Sequence, residues 1–256
     1  MTSGRVVEHP VSRDPGLAAR AQAWLAAAER PVSVPRLAAT VMLVRDGAAG
    51  PQVYVQRRVA SMAFAPSTVV FPGGGVDPVD HALDPATPGL ADLAAVMGVA
   101  ADVAAPFAAA AVREVQEECG VVITVADLRG RAHWVTPEFE PRRYDTWILA
   151  AGMPADQKAR GTTTESDHSA WVRPGDLLVR HRAGKVRMLP PTVISLEELA
   201  DFADAAAFLA HRPRVARVVP ELVAGGGGGP PFLAHRPALA APASLLPQPH
   251  PPPLLS

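Results

Sequence analysis

Apolar positions recur at Leu17, Ala21, Trp24, Leu25 and Ala28, the three-to-four spacing of a helix face, so an opening helix is expected over residues 15–30. From residue 36 the period changes. Residues 36–46 (RLAATVMLVRD) are nearly continuously apolar, as in a buried strand, and Asp46-Gly47 with Pro51 marks a turn. Residues 52–58 (QVYVQRR) alternate and complete a hairpin. Residues 67–71 (STVVF) predict a short strand that stops at Pro72-Gly73-Gly74-Gly75. Residues 76–106 have no strand period and carry Pro78, Pro85, Pro88 and Pro106; they read as an insertion with a short helix near 90–98. Residues 107–119 (FAAAAVREVQEEC) are strong helix formers, and Gly120 suits the position just past the helix end. Residues 121–125, 144–151 and 168–172 predict further strands, and 174–180 and 195–211 further helices.

The ends differ from the middle. Residues 1–13 read as a loose arm. From Gly225 the chain has five glycines in a row and then many prolines, too little apolar surface to offset the entropy of ordering, so a disordered tail is expected over 223–256. The expected organisation is an N-terminal arm and helix (1–35), one α/β domain (36–222, with the insertion at about 77–106) and that tail. The hexapeptide FLAHRP occurs at 208–213 and again at 232–237; two copies of six residues do not define a repeat fold.

Composition narrows the function classes. Of 256 residues 48% are hydrophobic, enough for a real core, and the formal net charge is -1. No general field draws the chain to nucleic acid or to an anionic membrane, so an anionic substrate must be met by a local site. The single cysteine, Cys119, excludes an internal disulfide and suits a reducing, cytoplasmic setting. Met1 to Pro10 has no apolar core of a signal peptide, and no run of about 18 apolar residues suggests a membrane span. Basic residues are nearly all Arg, with Lys only at 158 and 185, a coding bias that weakens any reading of the Ala- and Pro-rich stretches.

The chemistry sits in the run Arg113-Glu114-Val115-Gln116-Glu117-Glu118-Cys119-Gly120-Val121. On a helix Glu114, Glu117 and Glu118 share one face. Crowded carboxylates repel, and a divalent cation removes that cost; their oxygens suit Mg²⁺ or Mn²⁺. A merely solvated charged face is the plain alternative, but the flanks argue against it. Phe71-Pro72-Gly73-Gly74 is a strand ending in a tight glycine turn, which lets backbone approach phosphate oxygens.

These residues resemble the Nudix box, G-x5-E-x7-R-E-U-x-E-E-x-G-U with U aliphatic. Gly74 and the whole run Arg113 to Val121 fit it. The box's first glutamate does not: eight residues before Arg113 stands Ala105, and counting forward from Gly74 reaches Asp80. The box is thus split by about thirty inserted residues, with Asp77, Asp80 or Asp102 available as the replacement carboxylate. The resemblance implies an α/β/α sandwich with a mixed central sheet, and Mg²⁺-dependent hydrolysis of a diphosphate linkage in a small nucleotide-diphosphate substrate. It implies Glu117 and Glu118 as metal ligands, Glu114 as ligand or base, Arg113 as the residue orienting a glutamate, and Gly73 and Gly74 beside the substrate.

Segments 57–74, 133–151 and 188–199 are similar to the coenzyme A diphosphatase-like branch that carries a long insertion within the box, over about residues 36–220. Coenzyme A or acyl-coenzyme A is the substrate this implies, with Arg58 in the segment before the box. That signature's arginine and glycine are replaced here by Ala63 and Ser67, so ADP-ribose, a sugar nucleotide or a dinucleotide stands as the alternative, and a non-catalytic Nudix-fold module last. Arg142 and Arg143 are candidates for a substrate phosphate, with a surface pair at a strand start as the equal alternative. Glu165, in the polar loop TTTESDHS, is a second candidate for the base or a metal ligand. Trp134 and Trp171 fit core or rim positions, and His133, His168 and His181 lack zinc spacing. Cys119, beside the carboxylates, is a poor nucleophile. A homodimer is compatible with the sequence.

Overall fold

The computed structural model describes residues 7–11, 15–59, 65–163, 166–225, 229 and 231–235. Strand β2 (Arg36–Gly47) and β3 (Gly50–Arg58) form the expected hairpin. β2 also pairs in parallel with β7 (Tyr144–Gly152), and β7 pairs antiparallel with β6 (Arg129–Val135). The short β4 (Val69–Val70) and β8 (Ser166–Val172) flank β3, β5 (Gly73–Gly75) pairs with β2, and β9 (Arg217–Val218) ends the sheet beside β6.

Both faces of this mixed sheet are covered. In β2 and β7 alternate residues go to opposite cores, as the two-residue period requires. Val41, Leu43, Trp147 and Leu149 face α2 (Leu90–Met97) and α3 (Ala101–Cys119). Met42, Val44, Ile148 and Ala150 face α4 (Pro174–Arg182), α5 (Pro190–Ala200) and α6 (Ala205–Ala210). The fold is the expected three-layer sandwich. α3 lies close on the sheet because it offers Ala104, Ala108, Ala110 and Ala111, all fully buried, and Val115, whose burial contributes about 1.5–3 kcal/mol. Among the described residues no single helix is long and apolar enough to cross a membrane.

Several expectations are corrected. The helix that carries Glu114, Glu117 and Glu118 begins at Ala101, not at 107, and runs through Pro106. Proline so near the helix start removes one hydrogen bond, which the burial of Ala104, Ala105, Phe107 and Ala108 offsets. Residues 121–124 form no strand. Val121 and Ile123 are buried, but the Val122 backbone pairs with the Gln157 side chain, whose amide donates to Val122 O (2.9 Å) and accepts from Val122 N (2.7 Å). The helix expected over 195–211 begins at Pro190 and breaks after Ala200; Asp204 restarts it as an N-cap accepting from Ala207 N at 2.7 Å. β6 was not foreseen, because Arg131 and His133 hide its alternation. Each is paired: Arg131 with Glu198, His133 with Asp145.

The chain ends also meet. β1 (Val7–Pro10), in the expected loose arm, and β10 (Glu221–Val223) both pair antiparallel with β11 (Phe232–His235), which lies within the segment expected to be disordered. The remainder of that tail, from residue 236, lies outside the described residues. Beneath this second sheet, α1 (Pro15–Ala26) contributes the buried Ala21 to a small core with Val11, Phe139 and Leu233.

Candidate active site

The Phe71-Pro72-Gly73 turn is clamped from β2. Val41 N donates to Pro72 O at 2.8 Å, and the Thr40 hydroxyl donates to the same oxygen at 2.7 Å. Thr40 escaped sequence reasoning; a lone threonine in an apolar strand was its only signal. Gly73 has φ 151°, and a Cβ there would lie 2.3 Å from Ala39 O, so only glycine fits. At Gly74 a Cβ would lie 2.2 Å from Glu114 Oε1. The turn is therefore pressed against the carboxylates of α3, and Gly73 N donates to Glu118 Oε2 at 2.9 Å.

Arg113 organises the rest. Its Nε and Nη2 donate to the two oxygens of Asp80 at 3.1 and 2.9 Å, and Nη2 also donates to Gly75 O at 3.0 Å. Its Nη1 donates to Glu114 Oε1 at 2.9 Å and to Glu117 Oε2 at 3.1 Å. The Asp80 hydrogen bonds come first in raising the Arg113 pKa further, so the guanidinium is a permanent cation. Burial alone would push Asp80 up; the Arg113 hydrogen bonds and the Asp77 N–H outweigh it and hold the carboxyl below its ordinary range.

Of the three aspartates left open by the sequence, Asp80 is the partner of Arg113, although it stands 33 positions before it in the chain. Asp77 is exposed and 3.7 Å away, and the Asp102 side chain accepts from its neighbour Val103 N. Between Asp80 and Arg113, α2 packs against α3 in the core, and α3 brings the chain back beside the turn that holds Asp80.

Gly73, Gly74, Arg58, Arg113, Glu114, Glu117 and Glu118 all line one cavity of about 1300 Å³. The Arg58 Nε is buried there without a hydrogen-bond partner among the described residues. Arg142 and Arg143 do not line it. Arg143 is buried and holds the main chain together, donating to Thr136 O (3.0 Å) and Ser33 O (2.8 Å); Arg142 is exposed beside it. Glu165 lies outside the described residues. The loop before it is pinned to the end of α3, with Arg160 N on Cys119 O (2.9 Å) and Thr162 N on Glu118 O (3.1 Å). Cys119 is fully buried; desolvation, then the Glu118 charge, pushes its thiol up to about 12, so it is inert.

Among the described residues no three carboxylate, imidazole or thiol groups stand together at metal-ligating distance; Glu114 and Glu117 are turned to Arg113 and Glu118 to Gly73 N. The donor chemistry nevertheless fits a hard divalent cation. Three carboxylates of one helix border the cavity, and the glycine backbone opposite leaves a cradle at Glu114 that a Cβ would fill.

Residues 34–191 match the family model of the NUDIX domain. A NUDIX hydrolase from Alicyclobacillus acidocaldarius is similar in structure at 24% identity, with a TM-score of 0.60, over 71% of this chain and 98% of that one. A MutT NUDIX hydrolase from Burkholderia pseudomallei matches at 17% identity and a TM-score of 0.44, over 64% and 98%. No curated protein matches the chain.

Proposed function

This chain belongs to the NUDIX domain family and is a hydrolase, and we propose that it cleaves the diphosphate linkage of a nucleoside diphosphate derivative on the carboxylate face of α3. The observation that carries the reading is the gathering of Glu114, Glu117, Glu118, Arg113 and the Gly73–Gly75 backbone at one end of a single cavity. Glu117 and Glu118, with Glu114, would hold divalent cation, Mg²⁺ with Mn²⁺ as a substitute. When bound it supplies charge neutralisation on the diphosphate oxygens and acidifies a water. The chain's own part is positioning. Arg113, anchored by Asp80, fixes the carboxylates of Glu114 and Glu117. Glu114, pressed against Gly74, accepts the proton of the attacking water. Arg58 offers its Nε, without a hydrogen-bond partner among the described residues, to an anionic oxygen of the substrate.

Coenzyme A or an acyl-coenzyme A heads the substrate list, on the likeness of residues 57–74, 133–151 and 188–199 to that branch; ADP-ribose, sugar nucleotides and dinucleotides follow. Incubating the protein with each, in Mg²⁺ and in EDTA, and identifying the products by mass tests the reading. Cleavage between the two phosphorus atoms, dependent on the cation, is expected. Glu117→Gln should lose more than about a hundredfold in turnover; wild-type turnover in that variant would sink the metal assignment.

A further inference from the structure

We propose that the two ends of the chain build a subsite for an apolar aliphatic or aromatic segment of the substrate's non-nucleotide arm. The inference rests on the hydrolase reading above and deepens it. The cavity that ends at the α3 carboxylates extends to Val11, Leu17, Trp134, Ile148, Met188 and Leu233. Val11 and Leu17 come from the N-terminal arm and α1, and Leu233 from β11; all three stand outside the residues that match the family. Half of the wall thus comes from outside the family match, and Trp134, Ile148 and Met188 complete it from within.

It is built rather than draped. β11 is held between β1 and β10, with Leu233 opposite His9 on one side and Leu222 on the other. The His9 and His235 rings stack at 5.1 Å and 5°, and His235 meets the Trp134 ring of β6 edge-on at 5.0 Å. Arg20 of α1 makes a two-pronged ion pair with Glu140, at 3.0 and 2.9 Å, tying the helix to the loop after β6. Leu233 and Val11 are 6% and 1% exposed, so the wall is packed from behind while facing the cavity.

Hydroxyls of a ribose or hexose arm lying on these six side chains would be left without partners, whereas an apolar arm gains from every methylene buried there; the polar side chains of the same cavity, Thr136, Glu140, Thr146 and Thr192 among them, leave these six as its apolar stretch. His9 interrupts the apolar wall: its Nε2 is buried and has no partner among the described residues, so the arm can carry one carbonyl or hydroxyl near that point.

The test compares the octyl ester of ADP with ADP-ribose. Each buried methylene is worth about fourfold in binding, so kcat/KM for the octyl ester should exceed that for ADP-ribose at least tenfold. Leu233→Asp and the gentler Leu233→Asn should each lower that selectivity ratio at least tenfold. A ratio that stays at the wild-type value in both variants, or no preference for the octyl ester in the wild type, overturns the subsite. Calorimetric binding of the two ligands to the full chain in EDTA separates the readings: tighter octyl-ADP without turnover in Mg²⁺ keeps the subsite and removes the hydrolase reading, and equal binding removes the subsite.

Discussion

Replacing Asp80 by Asn keeps the shape of the side chain and removes its charge. Asp80 is 3% exposed and accepts two charge-assisted hydrogen bonds from Arg113 at 3.1 and 2.9 Å. Breaking one side of a buried ion pair costs about 3–5 kcal/mol. Arg113 is 20% exposed and keeps Gly75 O, Glu114 and Glu117 as acceptors, so the cost falls to about 2 kcal/mol. For a domain of this size that lowers Tm by about 4–8 °C. The sign with pH follows from the lowered Asp80 pKa in the folded state. Such a group's stabilisation is complete above its unfolded value, about 3.9, and is lost as pH falls through the folded value. Urea unfolding of wild type and variant should therefore show a full gap at pH 7 that closes below about pH 4. With its anchor gone, Arg113 no longer fixes Glu114 and Glu117, and kcat should drop at least about tenfold with a smaller change in KM. A gap absent at pH 7, or undiminished at pH 3, would refute the assignment of Asp80 as the carboxylate that anchors Arg113.

Gly74→Ala places a methyl 2.2 Å from Glu114 Oε1 and should cut kcat on the order of a hundredfold with little change in Tm; steady-state kinetics and a melting curve decide it, and unchanged kcat counts against Glu114. Arg131, wholly buried, donates to Phe208 O and His211 O at 3.2 Å and pairs with Glu198, so Arg131→Ala should cost about 3–5 kcal/mol by urea unfolding; a loss under 1 kcal/mol would show that the buried charge is dispensable. Cys119 should resist iodoacetamide at pH 8 in the native protein and react fully in urea, as mass spectrometry would show; native labelling would contradict its burial.

The helix of carboxylates and the glycine turn were legible because both depend on local rules: helical spacing puts Glu114, Glu117 and Glu118 on one face, and a strand that ends in glycines turns tightly. The hairpin of β2 and β3 was legible for the same reason. The identity of the missing carboxylate was not. Asp80 and Arg113 meet only because α2 packs back onto α3, a contact that no spacing rule encodes. The setting of Arg143 was left open because a strand-start arginine can face water or the main chain, and packing alone turns it to Ser33 O and Thr136 O.

The repeated FLAHRP shows the division most directly. Phe208, Leu209 and Ala210 belong to helix α6, capped by His211, while the same four residues at Phe232–His235 form strand β11. At the first copy Asp204 starts a helix, and the fully buried Phe208 lies under the Arg131 guanidinium, 3.9 Å from its ring centroid. At the second, β1 and β10 offer ladder partners on both sides. The sequence by itself determined where carboxylates, glycines and apolar stripes fall. Only the tertiary structure decided which backbone partners were within reach, and hydrogen bonds left unmade in a buried backbone cost more than any local preference for helix or strand.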